Sequence, residues 1–363
     1  MRRAIGLMSG TSMDGVDAAL VETDGVHVQP LGATAFVPID QGFRDAFRAL
    51  ERPDPENASH YDHLVGELTA VHADAVDAVL MAAELDRSQI DVIGFHGQTV
   101  YHAPKDGVTI QLGDGQDLAN RYRVPVVADF RSNDVQAGGE GAPLAPLYHR
   151  ALARDLNKPL AVLNIGGVAN VTWLGSGDVG GDDDILAFDT GPGNAMMDDW
   201  VRAHTGAAFD EGGALAQTSH VDQQALSTLL DHPYFDTLPP KSLDRRGFDA
   251  SPVSGLSLEA GASTLSAFSV AAIVRSQQHM PERPERWLIC GGGRHNSTLM
   301  QGLRDALGVP VDSVETVGWD GDYLEAQAFA YLAVRAMDGL PLSLPTTTGV
   351  STPLTGGQVF NPC

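Results

Sequence analysis

Three apolar runs, far apart in the chain, each break into a glycine-rich turn, and this arrangement narrows the fold more than any other feature of the 363 residues. The first is IGLMSGTSMDGVDAALVE, with Gly10 to Gly15 at its turn; the second is LAVLNIGGVANVTWL, turning over Gly166 to Asn170; the third is WLICGGG, ending in Gly291 to Gly293. The first two share one plan of strand, polar glycine turn and returning strand, which hints at duplicated lobes but is not the period of an array repeat. Glycine lets backbone N–H groups approach phosphate oxygens closely, so three such turns from separate segments suit a nucleotide held between lobes.

Other segments fill in an α/β chain. Leu64, Val65, Leu68, Val71 and Ala75 fall three or four residues apart and predict a helix over 61–85. IDVIGFHGQTV reads as a strand entering a glycine turn, VPVVA as a short buried strand, and ILAFD as a strand ending in TGPGN; residues 323–337 read as an alanine-rich helix. The polar, aperiodic DFRSNDVQAGGEGAPLAP marks a lobe boundary: 1–130 form a first lobe, with 340–363 as its candidate completion, and 131–339 form a second. This length exceeds one hydrophobic core at about 150 residues per domain. GSGDVGGDDD, over 175–184, has turn composition, so its acids read as a solvated hairpin tip before they read as a metal site.

Composition excludes several functions. The formal charge is -24, with lysine only at positions 105, 158 and 241, and such a surface repels nucleic acid. It does not exclude a phosphorylated ligand, because glycine loops and helix N-termini bind anions without lysine. Cys290 and Cys363 give neither a disulfide framework nor metal-ligand spacing, which points to a reducing cytoplasm. Ala4 to Met8 is too short for a signal-peptide core, and no run approaches the ~18 apolar residues that span a bilayer, so no membrane partner is expected. GxxxxGK[ST] does not occur, and GPGNAM lacks the third glycine of GxGxxG.

In order along the chain, these turns resemble the sugar kinase, actin and heat-shock ATPase superfamily. GLMSGTSMDGVD, GFHGQT, ADFR, NIGGVANVT, FDTGPGN, PKS, CGGG and EAQAFAYLA resemble more closely the anhydro-N-acetylmuramic acid kinase family, over nearly the whole chain. The resemblance implies a two-lobed actin-like ATPase (ribonuclease H-like) fold with central mixed sheets flanked by helices, ATP with Mg²⁺ as the phosphoryl donor, an anhydro amino sugar as substrate, a role in peptidoglycan recycling and a homodimer. It places the ATP segment on Gly10, Thr11, Ser12, Met13, Asp14, Gly15, Val16 and Asp17, a second phosphate loop on Gly166, Gly167 and Asn170, and a nucleoside-side loop on Gly291, Gly292 and Gly293. For the sugar it implies Thr99, Arg131 and Glu325, and for the catalytic base Asp189. PKSLDRRGF departs from the family's usual PKSTGRE, which puts contacts of Lys241 through Arg246 in question.

Each residue also has a local reading. Asp189, at a strand end, faces a cleft or caps its own turn through Gly191 or Gly193. Arg131 pairs bidentately with a carboxylate or is a surface arginine. Glu325 contacts sugar or closes a capping box with Asp322. Asp14 and Asp17 are the metal candidates, Asp17 reading better as a solvated or capping acid; the metal ligands are otherwise illegible. His96 reads as a hydrogen-bonded structural histidine. The alternatives to an anhydro sugar kinase are a kinase for another amino sugar, in which Asp189 deprotonates a hydroxyl, and a chaperone-like or filament-forming ATPase.

Overall fold

A computed structural model describes residues 1–10, 13–48, 62–177, 184–245 and 247–363. It divides into two compact units, Met1–Asp155 with Tyr323–Cys363, and Leu156–Asp322.

In the first unit, β1 (Arg2–Met8), β2 (Gly15–Thr23) and β3 (Val28–Pro38) run as an antiparallel meander. β4 (Val92–Phe95) joins parallel to β1; β5 (Gln98–Ala103) and β6 (Val108–Leu112) form a separate ribbon; β7 (Val126–Ala128) joins parallel to β4. In the second unit β8 (Leu160–Ile165), β9 (Val168–Leu174) and β10 (Ile185–Pro192) repeat the meander, and β11 (Arg286–Cys290) and β12 (Val311–Ser313) lie parallel on the far side of β8. β13 (Gln358–Phe360) returns to the first sheet, antiparallel to β7. The repeated order, β3-β2-β1-β4-β7 against β10-β9-β8-β11-β12, is the duplication that the two hairpins foreshadow.

Parallel neighbours need crossovers, which helices supply. Asp62–Ala82 precedes β4, Gly115–Tyr122 precedes β7, Leu258–Ser276 precedes β11 and Ser297–Leu307 precedes β12. The helix expected over 61–85 spans Asp62–Ala82, with Leu68, Ala75, Val76 and Val79 inward; Tyr61 lies outside the described residues.

Ala4 to Leu7 of β1 are buried, as is all of β4, so both strands are covered on each face. One cover is the helix Leu324–Met337. Gly6 and Gly94 are register partners, and a Cβ on Gly6 would stand 1.8 Å from the Ala326 carbonyl oxygen, one on Gly94 2.1 Å from that of Phe329. Only side chains of no size allow this approach, and the helix answers with buried Ala326, Ala330 and Ala333. The approach ties residues from 323 onward to the first unit. The expected return point was 340, and the expected lobe boundary after 130 compares with a division at Asp155. Residues 131–155 stay with the first unit because Leu144, Leu147 and Tyr148 are buried there and the Tyr148 hydroxyl donates to Gln327 Oε1 at 2.7 Å. The stretch read as aperiodic contains the helices Ser132–Gln136 and Pro146–Leu152, too short to display a 3.6-residue pattern.

The second core gathers Trp173, Phe188, Phe268, Trp287, Ile289 and Met300 on the sheet under Leu258–Ser276. No helix among the described residues is long and apolar enough to cross a membrane. Gly94→Ala should destabilise the first unit by about 1–3 kcal/mol, the usual cost of overpacking. Urea unfolding followed by circular dichroism checks this; an unchanged midpoint would contradict the contact.

Candidate functional site

In the first unit the motif residues gather at the carboxyl ends of β1 and β4, where parallel strands of α/β sheets commonly meet ligands. The tip joining β1 to β2 is pinned from below: Met13 N–H donates to Gly10 O at 3.1 Å, Gln98 Nε2 to the same oxygen at 3.3 Å, and Ile39 N–H to Asp14 O at 3.0 Å. Met13 adopts φ 55°, and its side chain is buried with Phe47 and Leu68, so it anchors the turn from inside. Val16 is likewise core. A Cβ on Gly15 would meet the Phe36 ring at 2.2 Å, so this glycine accommodates packing. Asp14 is exposed and Asp17 half-buried; Thr11 and Ser12 lie outside the described residues.

Beside this tip, half-buried Arg131 pairs with buried His96. Arg131 Nε–H donates to His96 Nε2 at 2.9 Å, and Arg131 Nη1 donates to Gly141 O at 2.6 Å. His96 Nδ1 lies 2.7 Å from Gly97 O. With Nε2 accepting from a guanidinium, Nδ1 must carry the proton, and the imidazole is neutral. Desolvation, reinforced by Arg131, holds its pKa well below the usual 6.5. The ring also lies 4.5 Å from that of Phe329, so the structural reading of His96 stands, with the added task of orienting Arg131.

Arg131 is no ordinary surface arginine. Desolvation lowers its pKa, Glu325 and Asp134 pull the other way, and no carboxylate among the described residues lies within ion-pair distance of it. Asp134 accepts instead from Gly141 N–H at 2.7 Å and the Thr348 hydroxyl at 2.6 Å. A desolvated cation without a bonded anion is costly, and a ligand carboxylate would relieve that cost. Thr99 Oγ1 accepts from Gln111 Nε2 at 3.3 Å.

Glu325 opens the helix Leu324–Met337, but the capping-box reading fails: the N-cap is Tyr323, with no side-chain cap bond. Asp322 is taken by the Arg294 guanidinium at 2.8 Å. Glu325 keeps solvent-accessible surface, yet desolvation raises its carboxyl pKa, with Arg131 opposing.

In the second unit, antiparallel register sets Asn164 opposite Asn170 and Asn170 opposite Asp189, a polar row across β8, β9 and β10. Asn164 Oδ1 stands 2.2 Å from where a Gly291 Cβ would be, which joins the row to the third glycine turn; Gly291 itself has φ 72°, a conformation favouring glycine. The Gly166 and Gly167 carbonyls accept from Asn194 N–H at 2.8 Å and from Gly193 and Ala195 N–H at 3.0 and 3.1 Å, locking the second loop onto TGPGN. Cβ atoms would meet little at Gly166, Gly167 and Gly292, where nothing stands closer than 3.5 Å, so the backbone there is open to a ligand. Gly293 is packed against Ile165.

Asp189 Oδ2 accepts from Leu243 N–H at 2.8 Å. The Gly193 N–H is committed to Gly167 O, so that route for a local turn cap is closed. Arg245 pairs with Asp199 at 3.1 Å, its Cδ 4.0 Å from a Cβ built on Gly167; Arg246 lies outside the described residues. Residues 178–183 of the acid-rich tip are also outside them, and no cluster of three metal-ligating side chains occurs among the described residues. Asn164, Asn194 and Tyr234 are not among the residues expected from the sequence. The first two sit inside the NIGG and GPGN motifs, which could have pointed to them; Tyr234 carries no local signal.

A family model described as anhydro-N-acetylmuramic acid kinase matches residues 2–362. Proteins named anhydro-N-acetylmuramic acid kinase from Rhodospirillum rubrum and Acidiphilium cryptum are each 52% identical, covering 98% and 99% of this chain and 94% and 98% of their own lengths. The one from Methylorubrum extorquens is 48% identical over 100% of both chains. Among solved structures, component A of the Acidaminococcus fermentans (R)-2-hydroxyglutaryl-CoA dehydratase is similar in fold, with a TM-score of 0.51 and 12% identity over 92% of this chain and 98% of that one.

Burial holds His72 and His149 to pKa values of about 4, and His96 also well below its usual value. Unfolded imidazoles take up protons near pH 6.5 while these do not, so their stabilising share is complete above that pH and is lost as pH falls toward the folded values. Lowering pH from about 7.5 to about 5 should cost several kcal/mol in urea unfolding. His72→Leu should flatten the dependence; an equal slope in that variant would contradict the assignment.

Proposed function

This chain belongs to the anhydro-N-acetylmuramic acid kinase family, and from that membership we propose that it converts 1,6-anhydro-N-acetylmuramic acid, ATP and water to N-acetylmuramic acid 6-phosphate and ADP, in peptidoglycan recycling. The observation that carries the substrate end is Arg131, a desolvated guanidinium held by His96 and Gly141 with no ion-pair carboxylate among the described residues. The lactyl carboxylate that distinguishes muramic acid would satisfy it, with the Thr99 hydroxyl and Glu325 available for sugar hydroxyl and amide groups.

Oxygen 6 of a 1,6-anhydro sugar is an ether, so it must leave the anomeric carbon before it can take a phosphoryl group. In this reading Asp189 removes a proton from water, the water oxygen bonds to the anomeric carbon, and the bond from that carbon to oxygen 6 breaks as oxygen 6 attacks the γ-phosphorus of ATP and ADP departs. An inverting glycosidase needs a second carboxyl group to protonate its leaving oxygen; the phosphoryl acceptor role replaces it here, and one carboxylate suffices. The Leu243 N–H fixes Asp189 Oδ2, which orients the carboxylate toward one face.

The ATP phosphates would meet the backbone at Gly10, Asp14 and Gly15 and at Gly166 and Gly167, with Asn170 beside Asp189 and the nucleoside along Gly291 to Gly293; Thr11 and Ser12 complete the family's phosphate segment. Mg²⁺ would be held chiefly by phosphate oxygens and water, with Asp14 or Asp17 as protein ligand. The ion would neutralise charge on the transferring phosphoryl group. We further propose two lobes that close to exclude bulk water, a cytoplasmic location and a homodimer.

Asp189→Asn should retain ATP binding and lose turnover by about 10²–10⁴-fold, the range for removal of a general base. Near-normal turnover would remove the assignment. In oxygen-18 water the label should appear at the anomeric hydroxyl and not in the phosphate; label in phosphate would exclude the coupled route.

A further inference from the structure

We infer that Lys241 is a positioning residue for the Asp189 carboxylate, acting with Tyr234 through a closed ring of hydrogen bonds, an inference that rests on the reading of Asp189 as the general base.

The ring has three links. Asp189 N–H donates to Lys241 O at 3.0 Å; Lys241 Nζ donates to Tyr234 O at 3.0 Å; the Tyr234 hydroxyl donates to Asp189 O at 2.6 Å. β10 is an edge strand of its sheet, so the outward backbone groups of Asp189 have no further strand to pair with, and these residues take that place. Two residues beyond Lys241, the Leu243 N–H reaches Asp189 Oδ2 at 2.8 Å. The strap therefore holds both the backbone and the carboxylate of the base. Because the bond to Oδ2 comes from a backbone N–H, leucine at 243, where the family usually has threonine, leaves it intact.

Lys241 is only 6% exposed. Its ammonium lies 4.5 Å from the Tyr234 ring centroid and 5.8 Å from that of Phe188, the residue preceding the base. An apolar side chain would fill this space without the cost of desolvating a cation, so its presence calls for a charge to act on. The charged groups around it are Arg275, Asp236 and Asp189, with His279 Nε2 at 3.5 Å. Arg275 and Asp236 are paired with each other at 2.6 Å, and desolvation keeps His279 below its usual pKa with Nε2 3.0 Å from Phe235 O. Asp189 is thus the acid left to answer the ammonium. Desolvation and Arg275 lower the Lys241 pKa to about 8, while Asp236 and Asp189 pull it back up. By reciprocity the ammonium favours ionised Asp189.

The test compares the full-length wild type, Lys241→Met, Lys241→Arg and Asp189→Asn in kcat, in KM for ATP and sugar, and in the pH dependence of kcat/KM. Lys241→Met should lower kcat by roughly a hundredfold, the scale of a small misplacement of a catalytic group, with KM for ATP within about twofold of wild type on the same basis. Its acid limb should move to higher pH, since a base without its neighbouring cation protonates more readily. Lys241→Arg should restore most of kcat and return the limb. An unchanged kcat in Lys241→Met, or a loss without movement of the limb, overturns the inference. Asp189→Asn separates the two ideas: if it stays active, the base assignment falls; if it is inactive while Lys241→Met behaves as wild type, only the positioning role falls. Should Lys241→Met not fold by circular dichroism, Tyr234→Phe removes one link alone, and an undiminished kcat there overturns the inference equally.

Discussion

The first unit depends on one close approach of backbones. Gly6 and Gly94, side by side in parallel strands, let the helix Leu324–Met337 rest its carbonyl oxygens where a methyl group would otherwise stand. At that distance the helix can move little along its axis without collision, so everything it carries is set relative to the strand ends. Glu325 begins it at the carboxyl edge of the sheet, and Phe329, one turn further, lies against His96. His96 in turn fixes the Arg131 guanidinium.

The second unit solves the same problem with hydrogen bonds. Its glycine loops are held by carbonyls that accept from the start of the helix Ala195–Thr205, and its polar row is assembled by antiparallel register. Arg294 illustrates how support is layered: it donates to the Gly291 carbonyl at 3.1 Å and to Glu315 at 2.9 Å, and binds Asp322. One buried guanidinium thus braces the third glycine loop and also removes Asp322 from the helix cap that local sequence suggests for it.

Electrostatically the units differ in kind. The first holds Arg131, whose desolvation no bonded carboxylate among the described residues offsets. The second holds a carboxylate, Asp189, whose Oδ2 accepts from the Leu243 N–H, a backbone donor that fixes its orientation. A strongly acidic protein with three lysines uses one of them here, buried, which accords with placement for a specific charge.

Sequence alone determined the elements whose causes are local: the glycine turns, the hairpins they close, the strand that delivers Asp189 and the helix over 62–82. Each depends on backbone freedom or on a periodicity visible within a dozen residues. Motif order also carried the family and its fold. What tertiary structure decided are pairings between residues far apart in the chain, which no local pattern encodes: Arg131 with His96, Leu243 with Asp189, Arg294 with Asp322, and the Asn164–Asn170–Asp189 row. Met13 and Val16 show the converse, residues inside the expected ATP segment whose side chains serve the core and anchor the turn from beneath.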